Sequence, residues 1–418
     1  MKIQKITDRN LFDAFVEKHP YSHYMKTSMW GEYKKRTDHL EYEMLGFYEG
    51  DTLIGTAMVL LGSWLHHPYA YIPWGPCINY DNPNERNEVF NLLKKYADEK
   101  NVLFLRVDPN VVRCPHDIKG NVLEGFNNEC VTEDLKKDGY THKGYGYAYN
   151  GSWTNRYTLI VDLSCGKDEV FKRFIPQRRR AINRHKTWHV STEIGNENDI
   201  DDLMRLEHQL CENDGFAPHN RQFFLNLMDC FKEHCVLYKT TIDLKGMIDG
   251  MSAELETKKY KNDAKAKEAA LNNIERAKQL RDKHGDTAVI ACGLFIRFTN
   301  KSWDLYTYND HQEFNFIRPV DNLHYFAMCD MYDHGVTDYD MVGFSGVTTE
   351  DDPEYGLYVY KSSFGPEYIE RIGEFDYVRN ESRMKRFRFE KRAINHVKRK
   401  YWAIRYKKGY ISKMVNIF

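Results

Sequence analysis

The sequence predicts an α/β (α+β) protein built from two tandem copies of one fold unit, with a helical hairpin inserted in the second copy. Three observations predict this class. One pattern occurs twice: residues 50–61 and 69–72 read as apolar strands, 90–100 as a helix and 103–108 as a further strand. Residues 285–295, 303–308, 323–334 and 339–343 repeat that order, offset by 285 − 50 = 235. The chain has 418 residues, 42% of them hydrophobic, enough for the cores of two or three domains. Finally, residues 241–284 carry a helical spacing that the first copy lacks.

The first copy opens with helices at 10–18 and 29–36. A strand pair follows, meeting at Glu49-Gly50-Asp51, a turn signal. The apolar run 53–65 contains Gly and Ser and is shorter than the roughly 20 residues that span a bilayer, so it reads as a buried strand. The second copy is expected to start at the strand 157–162. If Lys34 and Arg221 hold matching places, the offset there is 221 − 34 = 187, and 235 − 187 = 48 residues are inserted after them. Leu244, Met247, Ile248, Met251 and Leu255 fall on one helical face. After a break at Asn262-Asp263, Ala266, Ala270, Ile274, Ala277 and Leu280 line another. Two antiparallel helices forming a coiled-coil arm fit this pattern. The expected domains are therefore 1–152, completed by 376–418, and 153–375, with the arm at 241–284.

The formal net charge is −1, so the chain as a whole is no polyanion binder, but the charge is uneven. Residues 172–186 hold seven Lys/Arg and no acid. Residues 379–408 hold thirteen Lys/Arg against Glu381 and Glu390, interleaved with Phe387, Phe389, Tyr401, Trp402 and Tyr406. Such patches suit nucleic acid or anionic lipid, or are solvated amphipathic helices. The nine cysteines are odd in number and contain no C-x-x-C pair, which points to reduced thiols. His66-His67 and Cys114-Pro-His116 are the metal-like clusters, and no metal is expected at either. The N-terminal Met1-Lys-Ile-Gln-Lys-Ile-Thr-Asp8 is no signal peptide, so a cytoplasmic protein is expected.

No Walker A, G-x-S-x-G or H-E-x-x-H motif is present. The strand–strand–helix–strand unit resembles half of an acyl-CoA N-acetyltransferase, yet neither copy carries that family's pyrophosphate loop. Three segments carry a closer resemblance: Thr27-Ser-Met-Trp-Gly-Glu-Tyr-Lys34, Tyr71-Ile-Pro-Trp-Gly-Pro-Cys-Ile-Asn79 with Leu105-Arg-Val-Asp-Pro109, and Gly356-Leu-Tyr-Val-Tyr-Lys-Ser-Ser-Phe-Gly-Pro366. In this order, with Gln177-Arg-Arg-Arg-Ala-Ile-Asn183 and the arm, the chain resembles the Fem family of peptidoglycan interpeptide-bridge aminoacyltransferases over roughly residues 1–410.

The resemblance implies two tandem acetyltransferase-like (GNAT) domains with a cleft for two substrates. It implies transfer of an amino acid from aminoacyl-tRNA to the stem-peptide amine of lipid II or another peptidoglycan precursor, with no metal, CoA or other cofactor. It implies peripheral work at the cytoplasmic face of the membrane, beside homologous bridge-building transferases. Lys361, after Tyr360 in the family's aromatic-Lys pair, takes the role of stabilising the oxyanion or the tRNA ester. Asp108 ends a strand before Pro109: it either accepts or holds the attacking amine, or caps a turn. Lys34 and Arg221 match precursor-phosphate positions, or are plain surface cations. Trp74, Asn79 and Tyr360 depart from the commoner family residues. Two other readings are an acyl-CoA-dependent N-acyltransferase, which the missing loop disfavours, and a non-catalytic RNA- or membrane-binding protein on this fold.

Overall fold

The computed structural model describes residues 1–147, 152–214, 217–256 and 263–406. They divide into two compact units: residues 1–159, 343–358 and 367–418 form one, and 160–342 with 359–366 the other. The segments 343–358 and 367–375, which the sequence reading places with the second domain, cluster with the first.

In the first unit, Asp8 caps the helix Arg9–Lys18 by accepting from the Asn10 and Leu11 amides, and Thr27 caps Ser28–Asp38 by accepting from Trp30. The strands Lys2–Lys5, Glu41–Glu49, Thr52–Trp64 and His67–Ile72 pair antiparallel in that order. Asn82 then caps the helix Pro83–Glu99, whose proline sits in the first turn where its missing N–H costs nothing. The chain returns as Phe104–Val107, which pairs parallel to His67–Ile72 with Ile72 opposite Val107. All four residues of that strand are buried, as befits a central strand covered on both faces. Phe375–Val378 continues the sheet antiparallel to it, and the two-residue strand Thr141–His142 ends that side. The core gathers Phe47, Val59, Ile72, Phe90, Leu93 and Leu105.

The second unit repeats this order with Val190–Ile194, Cys235–Asp243, Thr287–Phe298, Lys301–Asn309 and Asp338–Gly343, the last two again parallel. The strand Tyr157–Asp162 sits beside Asp338–Gly343. It therefore plays the part of Phe375–Val378, and the repeat itself opens at Val190 rather than at 157. Among the described residues these are two tandem sheets of seven strands each, built on one repeated strand order.

The insertion replaces a turn. Glu49 pairs with Thr52 in the first sheet, and Asp243 with Thr287 in the second. The offsets are 243 − 49 = 194 and 287 − 52 = 235, so 41 residues are added there, not 48. They form the helices Leu244–Leu255 and Ala264–His284, the first capped by Asp243. Met247, Met251, Ala270, Ile274, Ala277 and Leu280 are buried as the spacing predicts. The same cluster includes Trp188, Val190, Ile242, Phe314 and Ile317, so the hairpin packs on its own sheet at the base.

Candidate active site

Strand order places the chemistry. A parallel pair inside an otherwise antiparallel sheet leaves a crevice at its carboxyl ends, where ligands of open α/β sheets bind. Asp108 follows Val107 at that end in the first unit and is 4% exposed. It accepts from the Trp74 amide at 2.8 Å, from the Tyr71 hydroxyl at 3.0 Å and from the Thr154 hydroxyl. Those donors favour the carboxylate, but burial first and the neighbouring Glu374 second outweigh them and push its pKa up to about 8. Glu374 is also raised, chiefly by burial. The amides of Trp153 and Thr154 hold it, the latter at 3.2 Å. Arg106 reaches Glu374 at 3.3 Å and grips Asp376 through two bonds of 2.8 and 3.0 Å.

Trp74 adopts a positive φ of 59°, a sparsely populated conformation for a non-glycine residue. His23 stacks on its ring at 4.3 Å, and the Arg371 guanidinium lies over it at 4.4 Å. The opening beside it is about 600 Å³ including its mouth, lined by Trp74, Asp108, Lys143, Thr154, Arg156 and Arg371. It thus presents a carboxyl group of raised pKa among three cations.

The second unit holds Lys361 at the corresponding strand end. Lys361 is 8% exposed, on the helix Tyr355–Ser362, and its Nζ donates to the Val342 carbonyl at 3.1 Å. Val342 has φ 61°, a true outlier for a β-branched side chain, costing about 1–3 kcal/mol. Its amide donates to Asp340 Oδ1 at 2.7 Å, so both sides of the strained residue are tied. Asp304 lies in the same buried cluster, its pKa raised to about 6 by burial, against a Thr307 hydrogen bond of 2.5 Å and the Lys361 charge. His324 donates or accepts at Tyr339 over 2.8 Å; burial, then Arg178 and Lys361, lower its pKa to about 3, so the ring is neutral.

Arg178 organises this corner. Read as part of a basic surface patch, it is instead 5% exposed. It donates to Ser363 Oγ at 2.6 Å, to the Tyr360 carbonyl at 3.4 Å and to Asp321, and lies over the Tyr360 ring at 4.2 Å. The Tyr360 hydroxyl is buried without a hydrogen-bond partner. Only the solvated members of the 172–186 patch can meet a polyanion.

Lys34 and Arg221 do not match each other. Lys34 sits mid-helix, half-buried, 5.0 Å over the Trp30 ring and paired with Asp38. Arg221 opens its helix as Ser28 opens the first, is exposed, and bonds Asp201 at 3.0 Å. With the 194 offset, Lys34 faces Met228 and has no basic counterpart. Tyr71, Thr154, Glu374, Arg178, Asp304 and Val342 went unread as site residues, because partners distant in sequence give each its place.

The profile of the FemAB family matches residues 7–391. The chain belongs to the FemAB family. Its relatives include the Lipid II:glycine glycyltransferase of Staphylococcus aureus strain USA300, 25% identical over 397 residues, covering 88% of this chain and 91% of that protein. The same enzyme from strain N315 gives the same identity and coverage. Among solved structures, that of FemX superposes with a TM-score of 0.76 at 22% identity, covering 92% of this chain and 99% of FemX. The FemAB match and the FemX fold both extend across the two repeats.

Proposed function

We propose that this FemAB chain is an aminoacyltransferase that builds peptidoglycan interpeptide bridges. It takes an amino acid from aminoacyl-tRNA and joins it to the stem-peptide amine of lipid II or a related precursor. The carrying observation is the near full-length match to relatives named Lipid II:glycine glycyltransferase. The enzyme works at the cytoplasmic membrane face, in cooperation with homologous transferases.

The chemistry asked for is amine attack on an ester. The new C–N bond forms a tetrahedral intermediate whose negative charge falls on the former carbonyl oxygen. The C–O bond to the tRNA ribose then breaks, and the ribose hydroxyl leaves with a proton. Asp108 takes the proton that the amine loses; a group with a pKa near neutrality suits that task better than an ordinary carboxylate. Lys361 supplies a fixed positive charge to the oxyanion or the tRNA ester, in a setting dry enough to strengthen it. Tyr360 lends its ring to the same corner. Lys34 and Arg221 bind precursor phosphates, for which each exchanges its present carboxylate partner. The reaction itself uses no metal or organic cofactor. No covalent aminoacyl-enzyme is part of the scheme.

The direct test supplies lipid II and aminoacyl-tRNA, with and without ribonuclease pretreatment. Transfer that ribonuclease abolishes supports the donor. Transfer from an acyl-CoA, unaffected by ribonuclease, sinks it.

A further inference from the structure

Away from the Asp108 cleft, the segment after Pro109 carries a second cluster that the chemistry above does not use. Residues two apart on an extended segment face the same side. Cys114 and His116 are so placed, with the rigid Pro115 between them. Backbone pairing brings Glu370 to them: Val112 bridges Arg371, and the Arg113 amide donates to the Glu370 carbonyl at 2.8 Å. Cys114 is 7% and Glu370 3% exposed. The His116 side chain is 4% exposed.

The hydrogen bonding of His116 is the telling feature. Its Nδ1 lies 2.9 Å from the Cys114 carbonyl oxygen, which can only accept, so the proton of the neutral ring belongs on Nδ1. Nε2 then presents a lone pair, 2.9 Å from Glu370 Oε2 and 4.0 Å from Cys114 Sγ. Three electron-pair donors converge: an imidazole nitrogen, a carboxylate oxygen and a sulfur, all within 4.8 Å of one another. Either a second proton on His116 or a cation between the three atoms resolves the meeting of like lone pairs, and the sulfur beside them favours the cation.

The surroundings orient the donors. Arg113 and Arg156 both bind Glu370 at Oε1, Arg113 at 3.1 Å, and Arg113 reaches Oε2 more loosely at 3.4 Å. Oε2 makes its shorter contact, 2.9 Å, with His116 Nε2, so outer partners fix the carboxylate's direction toward the cluster. Arg113 is itself balanced by Glu129. The Tyr368 ring, 5.3 Å from that of His116, covers the group.

We propose that Cys114 Sγ, His116 Nε2 and Glu370 Oε2 form a zinc site. A mixed sulfur, nitrogen and oxygen set suits this borderline-soft, tetrahedral ion. Bond lengths of about 2.0–2.3 Å space tetrahedral ligand atoms roughly 3.3–3.6 Å apart, so modest side-chain shifts suffice. Water completes the fourth position. Binding releases the Cys114 thiol proton to solvent and involves no redox step. The ion fastens residues 112–116 to the strand Glu367–Glu370. It thereby steadies Pro109 and Arg371, which flank this segment pair and line the cleft at Asp108. This departs from the expectation of no metal at Cys114-Pro-His116, and it stands whether or not the transferase reading does.

The test is metal uptake by the purified full-length chain. Zinc binding is measured by competition with a chromophoric chelator, and cobalt is substituted to look for thiolate-to-cobalt charge-transfer absorption. The expected result is one tightly bound ion and that absorption. Cys114→Ser and His116→Gln should each weaken affinity by more than about tenfold, and Cys114→Ser should abolish the absorption. His66→Ala/His67→Ala, at the other His-rich cluster, should leave both unchanged. The wild-type cobalt spectrum guards against variants that fail to fold. No uptake by the wild type overturns the proposal. So does uptake indifferent to Cys114, or uptake lost in the His66/His67 variant, since these leave the close His116–Glu370 contact as a protonated ion pair.

Discussion

At the scale of single residues, the account rests on two buried ionisable groups at corresponding strand ends. Replacing Asp108 by Asn removes the proposed proton acceptor while keeping the shape. Turnover should fall by about 10²–10⁴-fold, the usual contribution of a general base. In the wild type, kcat/KM should rise with pH through about 8 as Asp108 loses its proton. A profile flat between pH 6 and 9 contradicts that role. The stability effect has its own sign. The folded pKa is raised above that of an unfolded aspartate, so the folded state holds the extra proton between about 4 and 8. Stability from this group is therefore full below about pH 4 and is lost as pH rises through about 8. Lys361→Ala should lower turnover far more than tRNA affinity; weakened binding with normal turnover at saturation would rule out its proposed part. Asp108 and Lys361 could be singled out in the sequence because each sits in a local motif. The strain at Val342 could not, because a valine inside an apolar strand gives no hint of a positive φ. The raised pKa of Asp108 was equally hidden: it arises from burial and from Glu374, 374 − 108 = 266 residues away.

At the scale of elements, the helix bearing Lys361 is held from a distance by Arg178. Its guanidinium is the buried partner of Asp321, which is 0% exposed. Arg178→Ala leaves that carboxylate with only the more distant Arg318, at 3.9 Å, and should cost about 3–5 kcal/mol, read from denaturant melts. Pairing it with Asp321→Ala should recover part of the loss; strict additivity would show that the two do not act as a unit. The C-terminal helix Glu381–Tyr406 carries most of the second basic run, with Met384 and Phe387 turned into the first unit and Phe389 exposed. Residues 407–408 lie outside the described structure. Changing several of its exposed Arg and Lys to Gln should flatten the salt dependence of tRNA or vesicle binding, and an unchanged slope removes this surface from consideration. Period and capping residues made these helices readable. Whether a basic side chain points to solvent or inward is decided by tertiary contacts, and that is why the 172–186 patch looked more exposed than it is.

At the scale of the whole molecule, duplication is the organising fact. The repeated strand order was visible in sequence because the long apolar strands Thr52–Trp64 and Thr287–Phe298, and the elements after each, recur at a constant offset. The offset before the insertion is 194 on the paired strands and not the 187 that Lys34 and Arg221 suggest, because those two residues do not hold matching places. The strands added beside the repeats were also hidden. Tyr157–Asp162 and Phe375–Val378 extend the two sheets from outside their repeats, and no local pattern says which sheet a strand joins. Met247→Ala, in the cluster that ties the helical hairpin to its sheet, should cost about 2–5 kcal/mol, checked by thermal melting. A neutral result would mean the hairpin's base is loosely packed. The central claim concerns what this duplicated fold transfers, and one assay tests it most directly. Purified protein is mixed with lipid II and total aminoacyl-tRNA, and the product is weighed by mass spectrometry. The account predicts a mass gain of one amino acid on lipid II and no aminoacyl group on the enzyme. No gain, even on lipid II already carrying a first bridge residue, would contradict it.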